Sequence, residues 1–148
     1  RLISSAASDV YKRQIEGIAD GTIDAIASDH IAVDGDAKAQ PFGPAQPGAS
    51  GIDTLLALAL SLVHRERISM LRAMECLSLA PASILDIDGG ALIEGAAADL
   101  VLFDPSASWV VRAADFASNS RITPFEGLPV QGRVRSSWIG GMPVFTRS

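Results

Sequence analysis

Ile23-Asp24-Ala25-Ile26-Ala27-Ser28-Asp29-His30 is the stretch on which the fold turns. Its first five residues form a short, mostly apolar run between the turn signal Asp20-Gly21 and the polar trio Ser28-Asp29-His30. A run this short and apolar, punctuated at both ends, predicts a strand buried on both faces, as in a parallel sheet. Before it, Ile15–Ala19 reads as the end of a helix. After it, Gly35 to Gly51 is rich in Gly, Pro, Ala and Asp without periodicity, and reads as one long loop. Loops of that length inside compact domains are usually functional or disordered.

Farther along, Ile52–Arg65 has helical spacing, with Ile52, Leu55, Leu56, Leu60 and Val63 on one stripe. The segment is apolar nearly all round, which predicts a helix packed on more than one side. Ser69 is placed to cap a second helix, where Met70, Leu71, Met74 and Leu77 recur at helical spacing. Pro81 opens a short third turn, where a missing N–H costs little, and Gly89-Gly90 ends the helical region. Beyond it, Ala98–Phe103, Trp109–Val111, Val134–Ile139 and Val144-Phe145 read as short strands, with Gly140-Gly141 as a hairpin turn. One buried strand, then helices, then antiparallel β structure is an odd order for a free-standing domain. A strand buried on both faces needs neighbours on both sides, and terminal strands would leave open edges. The expectation is therefore a fragment of a larger protein.

Composition narrows the function classes. The 148 residues carry a formal charge of -5, with a pI near 4.8 and no basic patch, which argues against nucleic acid as partner. No apolar run approaches the roughly 18 residues of a membrane span, and no signal peptide is recognisable. The single cysteine, Cys76, rules out an internal disulfide framework and suits a reducing cytoplasm. Residues 1–14 look foreign: Asp9-Val10-Tyr11-Lys12-Arg13-Gln14 resembles a translated sequencing adapter. Without that tail 9 of the 12 basic and 16 of the 17 acidic residues remain, a formal charge of -7. The organisation expected is residues 1–14 as artefact, 15–88 as strand, loop and helices, and 89–148 as β structure.

Asp29 stands where a buried strand meets a long Gly/Pro loop. In a (β/α)₈ barrel that is the catalytic face. A carboxylate there can bind a divalent metal and move a proton to and from its water; the plainer alternative is a turn cap through its own backbone. His30 is a ligand or acid/base candidate, or incidental to the turn, and His64 suits the dipole at a helix end. Gly48 and Gly51 would let backbone N–H groups approach an anion, the alternative being a flexible loop before the helix. Two distant histidines, one cysteine and a single lysine beyond the tail, Lys38, make a poor metal set. A catalytic zinc usually takes three protein ligands, so most of any metal site must come from outside this chain. Nucleophile-elbow, P-loop and dinucleotide-fingerprint motifs are missing.

Together these segments resemble the dihydroorotases, zinc amidohydrolases that interconvert N-carbamoyl-aspartate and dihydroorotate in pyrimidine synthesis. Asp20-Gly-Thr-Ile-Asp-Ala-Ile-Ala-Ser-Asp-His30 is similar to that family's last barrel strand. Pro41-Phe42 and Pro47-Gly-Ala-Ser-Gly-Ile52 are similar to its substrate loop. Leu79-Ala-Pro-Ala82, Ala98-Asp-Leu-Val-Leu-Phe-Asp-Pro105, Thr123-Pro-Phe125 and Gly140-Gly141 follow in the family's order. The resemblance runs from about residue 15 to residue 145. It implies a (β/α)₈ metal-dependent hydrolase with a small accompanying β-sandwich. It makes Asp29 both a metal ligand and the proton shuttle, and Pro47 and Gly48 the residues that hold the substrate ring through backbone groups. Zinc is the implied cofactor, with its histidines and bridging lysine upstream of this chain.

One position departs from the pattern. Many dihydroorotases have histidine four residues after the aspartate, on the substrate carboxylate; here it is Val33. Losing such a charged hydrogen bond costs roughly 1.5–3 kcal/mol of binding. The reading that leads is a cyclic amide hydrolase, dihydroorotase ahead of hydantoinase or allantoinase. The competing reading is a non-catalytic subunit supporting aspartate transcarbamoylase. The implied partners are a small-molecule substrate and either that enzyme or further copies of the chain. The 148 residues alone are expected to bind no metal tightly, to show no turnover and to be poorly stable.

Overall fold

The structure, a computed structural model, describes residues 2–147, with side chains from Asp9 onward; the first residue of the adapter-like tail lies outside that range. Five α-helices come first: α1 (Leu2–Asp20), α2 (Gly35–Lys38), α3 (Ile52–His64), α4 (Met70–Met74) and α5 (Ala80–Ile84). Three strands follow, β1 (Leu100–Val110), β2 (Pro129–Ile139) and β3 (Met142–Thr146), in one sheet of order β1-β2-β3. The α1 helix runs without interruption through residues 14 and 15. No described helix is long and apolar enough to cross a membrane. The chain divides into two units, Arg1–Ile26 with Ala59–Phe103 and Val134–Ser148, and Ala27–Leu58 with Asp104–Arg133.

In the first unit the core is helical. Leu62, Ile68 and Ala73 are buried together, and Ile15, Ile18, Val63 and Met74 pack around them. Ser69 caps α4 as its sequence predicts, its side chain accepting the Arg72 N–H at 3.1 Å. Arg72 then fixes the end of α1 and the chain beyond it. Its Nε donates to Ile18 O at 2.8 Å, Nη2 to Ile23 O at 2.7 Å and Nη1 to Glu75 Oε2 at 2.7 Å. The bond to Glu75 raises the guanidinium pKa above its ordinary value.

Between α4 and α5 the chain forms one π-helical turn, Glu75–Leu79, in which Ala80 N–H bonds to Glu75 O. The Cys76 carbonyl thereby loses its usual donor, and the next candidate, Pro81, has no N–H to offer. Ile26 N–H takes the orphaned carbonyl at 3.0 Å. Cys76 itself is fully buried, and that burial raises its thiol pKa. At the end of α1, hydrogen bonds from Thr22 lower the Asp20 carboxyl pKa, its Oδ1 accepting Thr22 N–H at 2.9 Å.

The β-hairpin follows its sequence closely. Gly140 and Gly141 have φ of 56° and 79°, the left-handed pair a two-residue turn needs. Ile139 pairs with Met142 and Ser137 with Phe145, antiparallel, with an irregularity between Ser137 and Trp138.

Four expectations need correction. Ile23–Ala27 is not a buried strand: it lies outside any sheet and is half-exposed to exposed. Among the described residues only Ile23 N–H, to Gly17 O, and Ile26 N–H, to Cys76 O, find backbone acceptors there, and two bonds do not make a ladder. The Gly35–Gly51 loop contains α2, capped by the Asp34 side chain on Asp36 N–H at 3.1 Å. On the predicted helical stripes Ile52 and Leu71 are 62% and 80% exposed, while Ala57, Ala59 and Ala73 are buried. Ala98–Phe103 and Trp109–Val111 are not two strands, since β1 runs unbroken through Pro105. An edge strand tolerates proline because the missing N–H can face away from its neighbour.

Candidate active site

The second unit builds the site from two antiparallel-running stretches that approach without forming a sheet. Residues 28–33 lie beside residues 46–51, and Ile31 N–H donates to Ala49 O at 3.1 Å. Two glycines allow the approach. A Cβ at Gly51 would stand 2.5 Å from Ser28 O, and one at Gly48 would stand 2.6 Å from Val33 Cγ2 and 2.9 Å from Ile31 Cβ. Gly48 also has φ of 132°, which side chains other than glycine's rarely allow. Pro47 beside it is exposed, and Gly48 half-buried.

Asp29 sits at the bend of the first stretch with φ of 46°. Aspartate is among the few residues that tolerate this left-handed conformation. Its side chain is exposed and takes no hydrogen bond or ion pair among the described residues, so it does not cap a turn. The backbone thus turns the carboxylate outward with its acceptor sites open.

His30 does the opposite and faces into the structure. Its Nδ1 accepts Gly51 N–H at 3.2 Å and Ile52 N–H at 3.5 Å, at the start of α3. Those amides are among the orphan donors of a helix N-terminus, so His30 acts as a cap supplied from 21 residues upstream. Nδ1 acts as acceptor, which places the ring proton on Nε2. With Ser50 N–H given to Ile122 O at 2.7 Å, two amides of the stretch expected to approach an anion, those of Ser50 and Gly51, are already taken.

Polar side chains hold the rest. Ser50 is fully buried; its Oγ donates to Ser120 O at 2.9 Å and lies 3.3 Å from Ser118 Oγ. Ser120 Oγ in turn donates to Val33 O at 2.8 Å. Asp53 Oδ1 accepts Ala117 N–H at 3.0 Å. These bonds tie the Pro47–Ile52 motif to the segment that leads into Thr123-Pro-Phe125. Phe125 packs with Trp109 and Val130 on the buried cluster Val111, Ala113 and Phe116. Lys38, from α2, donates to Gln46 O at 3.2 Å and Gly48 O at 2.9 Å.

Asp29 thus lies on the stretch whose Ile31 and Val33 pack against Gly48, the residue after Pro47. Val33 is 5% exposed and packs under Gly48, so its side chain is core and does not line an open surface. His64 ends α3, exposed, as a helix-terminal residue. Sequence reasoning passed over Lys38, Ser50, Ser120 and the capping role of His30. Only Ser50 carried a signal, as a small polar residue within a Gly-flanked motif. As for a metal, no group of three His, Cys, Asp or Glu side chains among the described residues is arranged to hold one. The Asp29 carboxylate offers one ligand, His30 spends Nδ1 on backbone amides, and a zinc set does not fit this chain alone.

The amidohydrolase family profile matches residues 5–144. Among relatives, the dihydroorotase of Geotalea daltonii is 41% identical over 131 residues, covering 88% of this chain and 31% of the relative. That of Clostridioides difficile is 37% identical over 132 residues, with 88% and 31% covered. The chain thus spans about a third of the length of the dihydroorotases it matches. Among solved structures, the L-hydantoinase (dihydropyrimidinase) of Arthrobacter aurescens superposes with a TM-score of 0.85 at 30% identity, covering 92% of this chain and 32% of that one. The D-hydantoinase (dihydropyrimidinase) of a Thermus species gives 0.83 at 25% identity, covering 91% and 31%. With the family profile matched over residues 5–144, this α/β chain belongs to the amidohydrolase family.

Proposed function

We propose that the chain is the C-terminal part of a cyclic amide hydrolase of dihydroorotase type, supplying its Asp29 as the proton-transfer group. The observation that carries this reading is the bend at Asp29: a partnerless carboxylate, held in a left-handed conformation, beside the glycine-lined Pro47–Gly48 loop. A carboxylate so placed takes a proton from the water attacking the ring carbonyl carbon. It then delivers that proton to the ring nitrogen as the C–N bond breaks. The Pro47 carbonyl and the Gly48 N–H, which Lys38 leaves untouched, hold the ring. In the whole protein Asp29 would also be one zinc ligand, the others lying outside this chain. The (β/α)₈ barrel, the β-sandwich and a cytoplasmic setting belong to the same proposal.

The test is turnover by the whole protein that carries this chain, offered dihydroorotate and hydantoin, with Asp29→Asn as the paired variant. Turnover by the wild type supports the reading. Its absence on both substrates sinks it.

One observation favours a second reading. Val33 is buried under Gly48, so that position offers no hydrogen bond to a substrate carboxylate. A ring without a carboxylate, as in a hydantoinase, or a non-catalytic subunit supporting aspartate transcarbamoylase, accommodates valine there without penalty. Higher kcat/KM on hydantoin than on dihydroorotate would support the former. Stimulation of aspartate transcarbamoylase by a hydrolytically silent protein would support the latter.

A further inference from the structure

Lys38 spends a full charge on two neutral carbonyls. Its ammonium reaches Gln46 O and Gly48 O, eight and ten residues downstream, and has no carboxylate partner among the described residues. A second bond runs beside them, Gln46 N–H to Ala37 O at 3.2 Å, so the end of α2 and the loop are tied by backbone as well. The α2 helix is anchored in turn by its Asp34 cap.

The consequence for the loop follows from peptide geometry. A trans peptide points its C=O and N–H in opposite directions. With Gly48 O drawn toward Lys38, the Ala49 N–H of the same peptide is aimed to the other side. Ala49 O is engaged separately by Ile31 N–H. Gln46 O is drawn to the same ammonium, and its peptide partner Pro47 has no N–H to aim anywhere. Charge-assisted bonds are roughly twice as strong as neutral ones, so Lys38 outweighs ordinary loop hydrogen bonds in choosing this orientation.

We infer that Lys38 is a positioning residue for substrate binding: its ammonium sets the orientation of the Gly48–Ala49 peptide that the Pro47–Gly48 loop presents to a cyclic amide. This rests on the hydrolase reading above. Lys38 does not touch the ring and takes no part in proton transfer. Its loss removes binding and leaves chemistry in place.

The experiment uses the whole protein, with steady-state kinetics on whichever cyclic amide it hydrolyses. Lys38→Met is expected to raise KM about tenfold with kcat within about threefold of wild type, the signature of lost uniform binding. Lys38→Cys should show the same defect, and alkylation with 2-bromoethylamine, which rebuilds an ammonium at nearly the same reach, should restore KM. Cys76 is fully buried and is not expected to compete for the reagent. An unchanged KM in Lys38→Met, or a KM that alkylated Lys38→Cys fails to recover, overturns the Lys38 proposal while leaving the hydrolase reading standing. Failure of the wild type to turn over any cyclic amide overturns that reading, and the Lys38 proposal with it.

Discussion

The two units of this chain are held together in different ways. In the first, apolar side chains (Leu62, Ile68, Ala73) make a buried cluster, and a double-glycine turn closes an antiparallel hairpin. In the second, the stretches that carry Asp29, Pro47 and Gly48 have no ladder. They are held by side chains bonded to backbone groups far away in sequence: His30 on Gly51, Lys38 on Gly48, Ser50 on Ser120, Ser120 on Val33. Periodic packing gives rigid elements. Isolated polar bonds give an irregular backbone that leaves a carboxylate and a loop N–H open, as a binding site requires.

That contrast can be broken by substitution, and the largest effect is expected at Gly51. A methyl group there meets Ser28 O at 2.5 Å, a backbone atom that moves only with its chain. Gly51→Ala should cost roughly 3 kcal/mol, in the range of forced overpacking. Amide exchange should show the loss at Ile31 and Ser50, with protection at Arg72 and Ala73 unchanged. Equal loss in both places would mean that the two regions do not differ as described.

Ser50→Ala comes next. It removes the donor to a buried carbonyl, and an unsatisfied buried acceptor costs about 2 kcal/mol. A urea unfolding midpoint equal to wild type would show that water replaces the hydroxyl. Ser69→Ala probes the first unit in the same manner, where loss of the α4 cap should cost about 1 kcal/mol. A larger cost at Ser69 than at Ser50 would reverse the comparison.

The smallest effect concerns acid. Thr22 lowers the Asp20 carboxyl pKa in the folded state. Its contribution is therefore fully present above the unfolded pKa and fades as pH falls through the lowered folded one. The group is exposed, so Asp20→Asn should flatten the acid limb of the stability curve only slightly. A wild-type curve that rises on acidification in this range would contradict the assigned direction.

What was legible in the sequence divides along the same line. The Ser69 cap, the end of α3 within one residue and the Gly140-Gly141 hairpin were all read correctly, because each rests on a local backbone rule. Ile23–Ala27 was misread because apolar content signals burial in a larger sheet, whereas strand formation requires partner N–H and C=O groups. Pro105 was misread as a break because proline's cost depends on whether its strand is an edge. The Asp29–Gly48 neighbourhood was visible as two motifs. Its wiring through His30, Lys38 and Ser50 was not, since those bonds join residues 8 to 70 positions apart, with no periodicity between them.

The most direct measurement is the kcat of the whole protein on its preferred cyclic amide, wild type against Asp29→Asn, with KM from the same curves. The account predicts a fall in kcat of about 10²–10⁴-fold, the range for a lost general acid–base group, with KM little changed. An Asp29→Asn variant that turns over at the wild-type rate would contradict it, and would return the bend at Asp29 to an ordinary loop.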